Sequence, residues 1–261
     1  MRRTTKRRLY RGLLYAVFVA AVVAVGLATD WQRIADVFFR IDIAREQFPE
    51  IITIALKNTI IFTLVAFFGG LVLGIVLALM KLSPVAPYRW FATGFIELFR
   101  GLPALLTIFA TAYMLPIALG VRLPGGQVGA GLVGLILVAS AYMAETIRAG
   151  IEAVPKGQTE AARSLGMTPA RAMVSVVLPQ GFRIIIPPMT NEFVILLKDT
   201  SLLFIAGSTI FTKELTTFAR DGLTTYSNGT TLVMAAMLYL LITIPLTRLV
   251  AVLERRLKKT R

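Results

Sequence analysis

Residues 51–80 read IITIALKNTIIFTLVAFFGGLVLGIVLALM, and this stretch decides the class of fold. Only one residue in it, Lys57, is charged. About 20 consecutive apolar residues are enough for a helix to cross the hydrocarbon core of a bilayer. The stretch therefore predicts a transmembrane helix that is tilted or extends beyond the membrane. Gly70 and Gly74 stand four residues apart, a spacing that lets two membrane helices pack closely.

Five further apolar runs flank this stretch. We predict six transmembrane helices, at residues 13–28, 51–80, 103–119, 129–149, 184–206 and 231–253. The first run follows a basic segment like that of a signal peptide, but we interpret it as a signal anchor because no cleavage site is recognisable and further spans follow. The chain has 261 residues, of which 56% are hydrophobic and 16% charged. The sequence thus predicts an all-α integral membrane protein of about six transmembrane helices.

Several residue types are absent, and their absence narrows the chemistry. The chain has no cysteine and no histidine, which removes the thiolate and imidazole ligands of most metal sites and the usual general base. We therefore predict no catalytic residue, no metal site and no cofactor on this chain. The net charge of +14 gathers at the two ends beside apolar runs, so nucleic acid is not an expected partner. No G-x-x-x-x-G-K-[ST] phosphate loop occurs, so any ATPase must be another chain.

The distribution of basic residues predicts the orientation in the membrane. With both termini in the cytoplasm, the inside segments carry seventeen lysines and arginines and the outside segments six. Cytoplasmic loops are enriched in these residues. Residues 29–50, which carry five acidic side chains, are then extracytoplasmic, and residues 153–172 are cytoplasmic.

The cytoplasmic segment 153–172 predicts a short surface helix between two spans. Residues 159–165 are good helix formers, and Gly166 is suited to ending the helix. Thr168 and Pro169 are suited to capping and starting the next one. Such an element is either a rigid knob for a partner or an amphipathic surface helix without one, and the residue pattern alone leaves both open.

The fifth apolar run contains unusual polarity for a membrane helix. Charged residues at membrane depth face a cavity or a partner because lipid cannot solvate them. Asp199 or Glu192 is suited to an ammonium group, and Asn191, Lys198 or a hydroxyl group to a carboxylate. Lys198 and Asp199 point about 100° apart on a helix and need not pair. The polar residues form either a substrate or gating site or a buried network between helices; they are Asn191, Glu192, Lys198, Asp199, Thr200 and Ser201.

Two acid–base pairs have helical spacing. Glu97 and Arg100, and likewise Glu145 and Arg148, stand three residues apart. An intrahelical ion pair is the simplest interpretation of each.

Several motifs together resemble one family. The sequence Glu160-Ala-Ala, three residues, Gly166, nine residues and then Val176-x-Leu178-Pro179 resembles the EAA loop of ABC-importer permeases. The flanking AYMAETIRAGI (141–151), SLGMT (164–168) and LKDTSL (197–202) resemble the polar amino-acid permeases for histidine, glutamate, glutamine, arginine and opines. ELFRGLP (97–103) resembles that family's E-x-x-R-G-T-P, with leucine at position 102 in place of threonine.

The resemblance implies a specific architecture and function. Residues 51–261 would form a five-helix type I permease domain whose coupling loop, 153–172, docks on a cytoplasmic ATPase, and residues 1–50 would add a basic tail, an extra helix and an extracytoplasmic segment. The protein would be a permease subunit importing polar amino acids across the bacterial inner membrane. Its partners would be two ATP-binding cassette subunits that hold ATP and Mg²⁺, a second permease, identical or related, and an extracytoplasmic amino-acid-binding protein. The implied coupling residues are Gly157, Glu160, Ala161, Ala162, Arg163 and Gly166.

Two alternatives remain at this point. An ion-coupled secondary transporter would use Glu192, Lys198 or Asp199 as a relay, and a membrane scaffold would only anchor a cytoplasmic partner. The EAA spacing favours the ABC permease over both. The sequence leaves open which amino acid is carried and whether the two permeases are identical.

Overall fold

A computed structural model of the chain describes residues 3–120 and 123–259, and those residues are helical with short connections. The basic residues Arg2, Arg122 and Arg261, which contribute to the predicted charge bias, lie outside the described residues. The helices are α1 Arg3–Ala28, α2 Trp31–Phe38, α3 Ile41–Glu50, α4 Lys57–Leu82, α5 Ala86–Gly101, α6 Ala104–Phe109, α7 Leu115–Leu119, α8 Gly126–Glu152, α9 Lys156–Ser164, α10 Pro169–Ala172, α11 Leu178–Asp199, α12 Leu215–Tyr226 and α13 Thr230–Lys259.

Several of these helices join without a break. A π-helical segment, Ile51–Leu56, links α3 to α4, and others, Ala110–Met114 and Met173–Val177, link α6 to α7 and α10 to α11. Residues 41–82 therefore form one continuous helix about 60 Å long. That length is about twice what the hydrocarbon core needs, in keeping with the predicted second span, which is tilted or extends beyond the membrane.

The predicted spans agree with the structure at five positions and need correction at one. In the part of the chain that the structure describes, five segments are long and apolar enough to cross a membrane: Tyr10–Ala28, Trp31–Leu82, Gly126–Glu152, Pro169–Ala206 and Thr230–Arg256. The third predicted span, residues 103–119, does not qualify alone. It qualifies together with α5, to which it is joined at a 105° bend. The chain bends there because Leu102 precedes Pro103 and is held in an extended conformation.

Helix α8 is the centre of the fold, and glycines let its neighbours approach it. Gly70 and Gly74 of α4 are buried against α8, and a Cβ atom added at Gly70 would lie 2.9 Å from the Cβ of Ala139. Nearer the end of α8, a Cβ atom at Gly150 would lie 2.3 Å from Ile185 of α11. Backbones can meet at these distances only where one partner lacks a side chain. The small-xxx-small prediction for α4 is confirmed.

The N-terminal segment attaches to the rest of the chain through α2, not through α1. None of α1 is buried in the apolar window 10–28. By contrast, α2 is bound to the turn between α12 and α13. The backbone amide of Gly229 donates to the carbonyl oxygen of Val37 at 2.7 Å, and the side-chain Nδ2 of Asn228 donates to the carbonyl oxygen of Asp36 at 2.7 Å. The domain boundary predicted at residue 50 stays a prediction, and the helix runs through it.

Candidate functional site

The predicted surface helix is α9, which lies between the ends of α8 and α10. Pro155 caps its first turn in an extended conformation, so the chain turns away from α8 before Lys156. Ala162 is the one buried residue of α9, and Glu160, Ala161 and Arg163 are exposed. The helix therefore fixes one face to its own chain and presents the other outward. Its start, three residues before the predicted 159, is set by this proline.

A specific hydrogen-bonded turn ends α9 at Gly166. The amide of Met167 donates to the carbonyl oxygen of Ala162 at 3.1 Å, and the amide of Gly166 donates to that of Arg163 at 3.0 Å. These two bonds define a Schellman cap, which needs a left-handed residue at the position of Gly166. Gly166 has φ +81°. The guanidinium of Arg163 donates to the carbonyl oxygen of Met167 at 2.7 Å and completes the cap.

Leu165 is the most prominent apolar side chain of the loop, and sequence reasoning missed it. It is 82% exposed, directly before the capping glycine. An exposed leucine on a rigid turn is an apolar contact point that a partner groove can cover. Its position in the sequence could have revealed it. Leu165 directly precedes the glycine of a Schellman cap, and a side chain at that position does not lie on the buried face of the helix. Ala162, predicted to face the partner, instead packs against its own chain at 4% exposure.

The loop is also joined to the following helix. Thr168 Oγ1 accepts a hydrogen bond from the amide of Arg171, which confirms the predicted cap of α10. Gln180, at the start of α11, donates a side-chain hydrogen bond of 3.3 Å to Gln158 of α9. A displacement of α9 is thereby linked to both α8 and α11.

Of the two predicted intrahelical ion pairs, one forms. Arg148 pairs with Glu145, as expected, and the pair also includes Lys81 and Glu152. Glu97 and Arg100 do not pair in the part of the chain that the structure describes. Instead the guanidinium of Arg100 lies over the ring of Tyr142, 5.5 Å from its centroid, because the bend after α5 turns this end toward α8.

A polar cavity of about 280 Å³ lies where α8, α11 and the α5–α6 bend meet. Glu192 and Asp199 line it from α11, and Tyr142 lines it from α8. Its remaining lining is apolar, from Leu102, Ala104, Val138, Ala139, Ile195 and Leu196. Within the described residues, no side chain forms an ion pair with Glu192 or Asp199.

Two of the six polar residues that were predicted to form a site on this span line the cavity, namely Glu192 and Asp199. Asn191 and Lys198 are exposed and do not line it, because each stands about 100° around the helix from its acidic neighbour. Thr200 is buried and donates its hydroxyl to the carbonyl oxygen of Leu197 at 2.7 Å. Ser201 is half-buried and outside the lining. Lys198 and Asp199 form no ion pair with each other in the part of the chain that the structure describes, in keeping with the angle of about 100° between them.

Helices that are long and apolar enough to cross a membrane line a cavity with two acidic side chains, and a capped helix projects at one end, an arrangement that suits a transport permease. The family model described as "Binding-protein-dependent transport system inner membrane component" matches residues 70–259. The chain belongs to this family, as its sequence motifs predicted, and is a multi-pass inner-membrane transport component rather than an enzyme. The match favours the ABC permease over the ion-coupled alternative.

Known proteins of this kind are similar over most of the chain. The probable glutamine ABC transporter permease protein GlnM of Bacillus subtilis (strain 168) is 38% identical over 203 residues, which cover 78% of this chain and 91% of GlnM. The L-cystine transport system permease protein TcyB of the same strain is 35% identical over 220 residues, 84% of this chain and 91% of TcyB. The crystal structure of an amino acid ABC transporter with histidines gives a TM-score of 0.73 at 36% identity, covering 81% of this chain and 95% of that one.

Proposed function

We propose that this chain is the permease subunit of an ATP-driven amino-acid importer, in which α9 docks on a separate cytoplasmic ATPase. The observation that carries the proposal is the rigid, outward-facing end of α9, where Leu165 is 82% exposed beside the Gly166 cap. An apolar side chain on a preorganised turn binds a groove without losing much conformational entropy. Glu160 and Arg163 stand beside it as polar rim contacts.

The proposal includes the partners that such a subunit needs. Two ATPase subunits would hold ATP and Mg²⁺, a second permease would complete the path, and an extracytoplasmic binding protein would deliver the amino acid. Relatives named as permeases for glutamine, cystine, arginine and glutamate or aspartate support an amino-acid substrate. The α9 end would be cytoplasmic, together with both termini, in keeping with the charge bias of the sequence.

The cavity beside Tyr142 is the proposed substrate contact of this subunit. Its lining, as far as the structure describes the chain, includes two carboxyl groups and no basic side chain. Glu192 and Asp199 are seven residues apart on α11, which places their backbone positions about 10 Å apart along one face. Two acidic groups so placed suit a ligand with more than one positive centre, so the geometry favours a cationic amino acid over an acidic one.

Reconstituted vesicles test the transport function. The permease is purified with its ATPase, reconstituted with binding protein outside, and loaded with ATP. Uptake of labelled arginine, lysine, histidine, glutamine and glutamate is measured with and without ion gradients. We expect uptake that depends on internal ATP and is indifferent to the gradients. Uptake driven by a proton or sodium gradient without ATP would overturn the proposal.

Substitutions in the cavity test the site. A hydrogen bond to a charged group contributes about 1.5–3 kcal/mol, so losing one weakens binding about 10- to 150-fold. Glu192→Gln and Asp199→Asn should each raise the half-saturating concentration of the transported cation by that factor. Asn191→Ala is the matched control, because Asn191 neighbours Glu192 but faces away from the cavity. Equal effects of all three substitutions would refute the assignment of the cavity.

A further inference from the structure

A cluster of four charged side chains lies at the end of α8 that leads into α9. Glu145 Oε2 accepts from Lys81 Nζ at 3.0 Å and from Arg148 Nε at 3.2 Å. Arg148 also binds the second oxygen of Glu145 and the carboxylate of Glu152. The side chains of Lys81, Glu145 and Arg148 are 21–24% exposed. Each charge therefore has a partner, and Glu145 is the centre of the cluster.

Stability alone does not explain these charges. Exposed ion pairs contribute at most about 1 kcal/mol, and for pairs as buried as these the cost of removing water from the charges offsets much of their attraction. Glu152 is moreover the last residue of α8, where the helix dipole disfavours a carboxylate. The positive charge of Arg148 offsets this unfavourable interaction of Glu152. An apolar residue in place of Glu152 would need no such compensation.

The pair of Lys81 with Glu145 has a second distinguishing property. Across the described residues, it is the only polar side-chain contact between α4 and α8. Elsewhere these helices pack through van der Waals contacts at Gly70 and Gly74, and this line of contact is called the glycine seam. Packed helices of that kind can slide past one another by small amounts. The ion pair fixes the register of α4 against α8 at the end nearest α9.

The cluster also lies between α9 and the cavity. Glu152 is four residues before Lys156, where α9 begins. In the other direction Tyr142, which lines the cavity, is three residues before Glu145 and so about one turn away on the same helix. A force applied to α9 passes through this part of α8 before it reaches the cavity wall.

We propose that Lys81, Glu145 and Arg148 are positioning residues that join α4 to α8, so that displacement of α9 moves both helices, and with them the cavity wall, as one body. Without the Lys81 contact, α8 would slide along the glycine seam and α4 would not follow. The inference rests on the proposed function, since it requires an ATPase that pushes on α9. It assigns a role in coupling to charges that touch neither substrate nor ATPase.

The test measures how strongly substrate-loaded binding protein stimulates ATP hydrolysis by the purified complex. We compare the wild type with Lys81→Met, with the conservative Lys81→Arg, and with Lys57→Met as matched control. Lys57 is exposed at the opposite end of α4. Coupling between sites commonly corresponds to effects of about 5- to 150-fold. We expect Lys81→Met to lower the stimulation factor about fivefold to tenfold at unchanged basal hydrolysis, Lys81→Arg to restore it, and Lys57→Met to leave it unchanged.

A chemical rescue covers the case in which Lys81→Met fails to assemble. The chain has no cysteine, so in Lys81→Cys a thiol reagent modifies only that position of the permease. Alkylating the isolated permease with 2-bromoethylamine before assembly restores an ammonium group, whereas iodoacetamide adds a neutral group of similar size. We expect stimulation only after aminoethylation.

The outcomes separate the two proposals. A wild-type complex whose ATPase is not stimulated at all would contradict the proposed function. A stimulated wild type, with Lys81→Met stimulated equally or with both alkylated samples behaving alike, would overturn the positioning role while leaving the proposed function intact.

Discussion

Gly166 offers the sharpest test of the coupling loop, because its substitution changes backbone energy and nothing else. Its φ is +81°, and no atom lies within 4 Å of the position that an added Cβ would occupy. Gly166→Ala therefore introduces no clash. It does place an L-residue in the left-handed region, which costs about 1–2 kcal/mol. Gly166→Asn is expected to cost less, because asparagine tolerates this conformation better.

The expected consequence is a frayed end of α9. A penalty of one to two kcal/mol shifts the equilibrium between the formed and the open cap about 5- to 30-fold. The hydrogen bonds from Gly166 and Met167 that hold the turn are then lost for part of the time, and Leu165 loses its fixed position. ATP hydrolysis stimulated by substrate should fall in the order wild type, Gly166→Asn, Gly166→Ala. Membrane insertion and thermal unfolding of the permease should change little, since the loop is exposed.

The control is a glycine-to-alanine change without the conformational constraint. Gly94 lies on an exposed turn of α5 with a helical backbone and open space around it. Alanine there is expected to be neutral or slightly stabilising. If Gly166→Ala couples ATP hydrolysis to substrate as well as Gly94→Ala does, the Schellman cap has no part in coupling and the reasoning from its geometry is refuted.

Three further changes test other parts of the structure. Leu165→Asp should abolish co-purification with the ATPase at unchanged permease yield, and retained binding would exclude Leu165 as an anchor. Gly134→Ala should destabilise the fold by about 1–3 kcal/mol in thermal unfolding, because the new Cβ would lie 2.2 Å from Thr111 Oγ1; an unchanged unfolding temperature would contradict the close packing. Burial raises the pKa of Glu214 above 4.5, and stability from such a group is present at low pH and lost as the pH rises through the folded-state pKa. Glu214→Gln should therefore flatten the fall in unfolding temperature above pH 4.5, and an unchanged slope would count against that shift.

Much of the fold is predictable because it depends on composition over long windows. An apolar run as long as residues 51–80 is too hydrophobic for the surface of a soluble protein. The sequence alone therefore predicts that it forms a helix within the membrane. Helix-capping residues were equally reliable signals, because a cap depends on residues within one turn. Thr168 caps α10, and Gly166 ends α9 in the left-handed conformation. The pair of Glu145 and Arg148 forms because both residues lie on the same turn.

The failed ion-pair prediction involves a contact between distant segments. Glu97 and Arg100 have the same spacing as Glu145 and Arg148, yet Arg100 turns to the ring of Tyr142. The intrahelical pair is worth only a few tenths of a kcal/mol, so a tertiary contact readily replaces it. The third predicted span, residues 103–119, is helical but is long and apolar enough to cross a membrane only together with α5, from which it is separated by the bend at Leu102 and Pro103.

The sequence by itself determined the class of the protein, five of its spans and the place of its capped loop, since hydropathy and helix capping act locally along the chain. Only the tertiary structure decided which side chains share a cavity. Glu192 and Asp199 line the cavity because they lie on the face of α11 that packs against α8. Asn191 and Lys198 lie on another face and do not line it. Lys81 meets Glu145 only because Gly70 and Gly74 let α4 and α8 pack closely. Contacts of this kind depend on how separate helices are placed, which local periodicity does not specify.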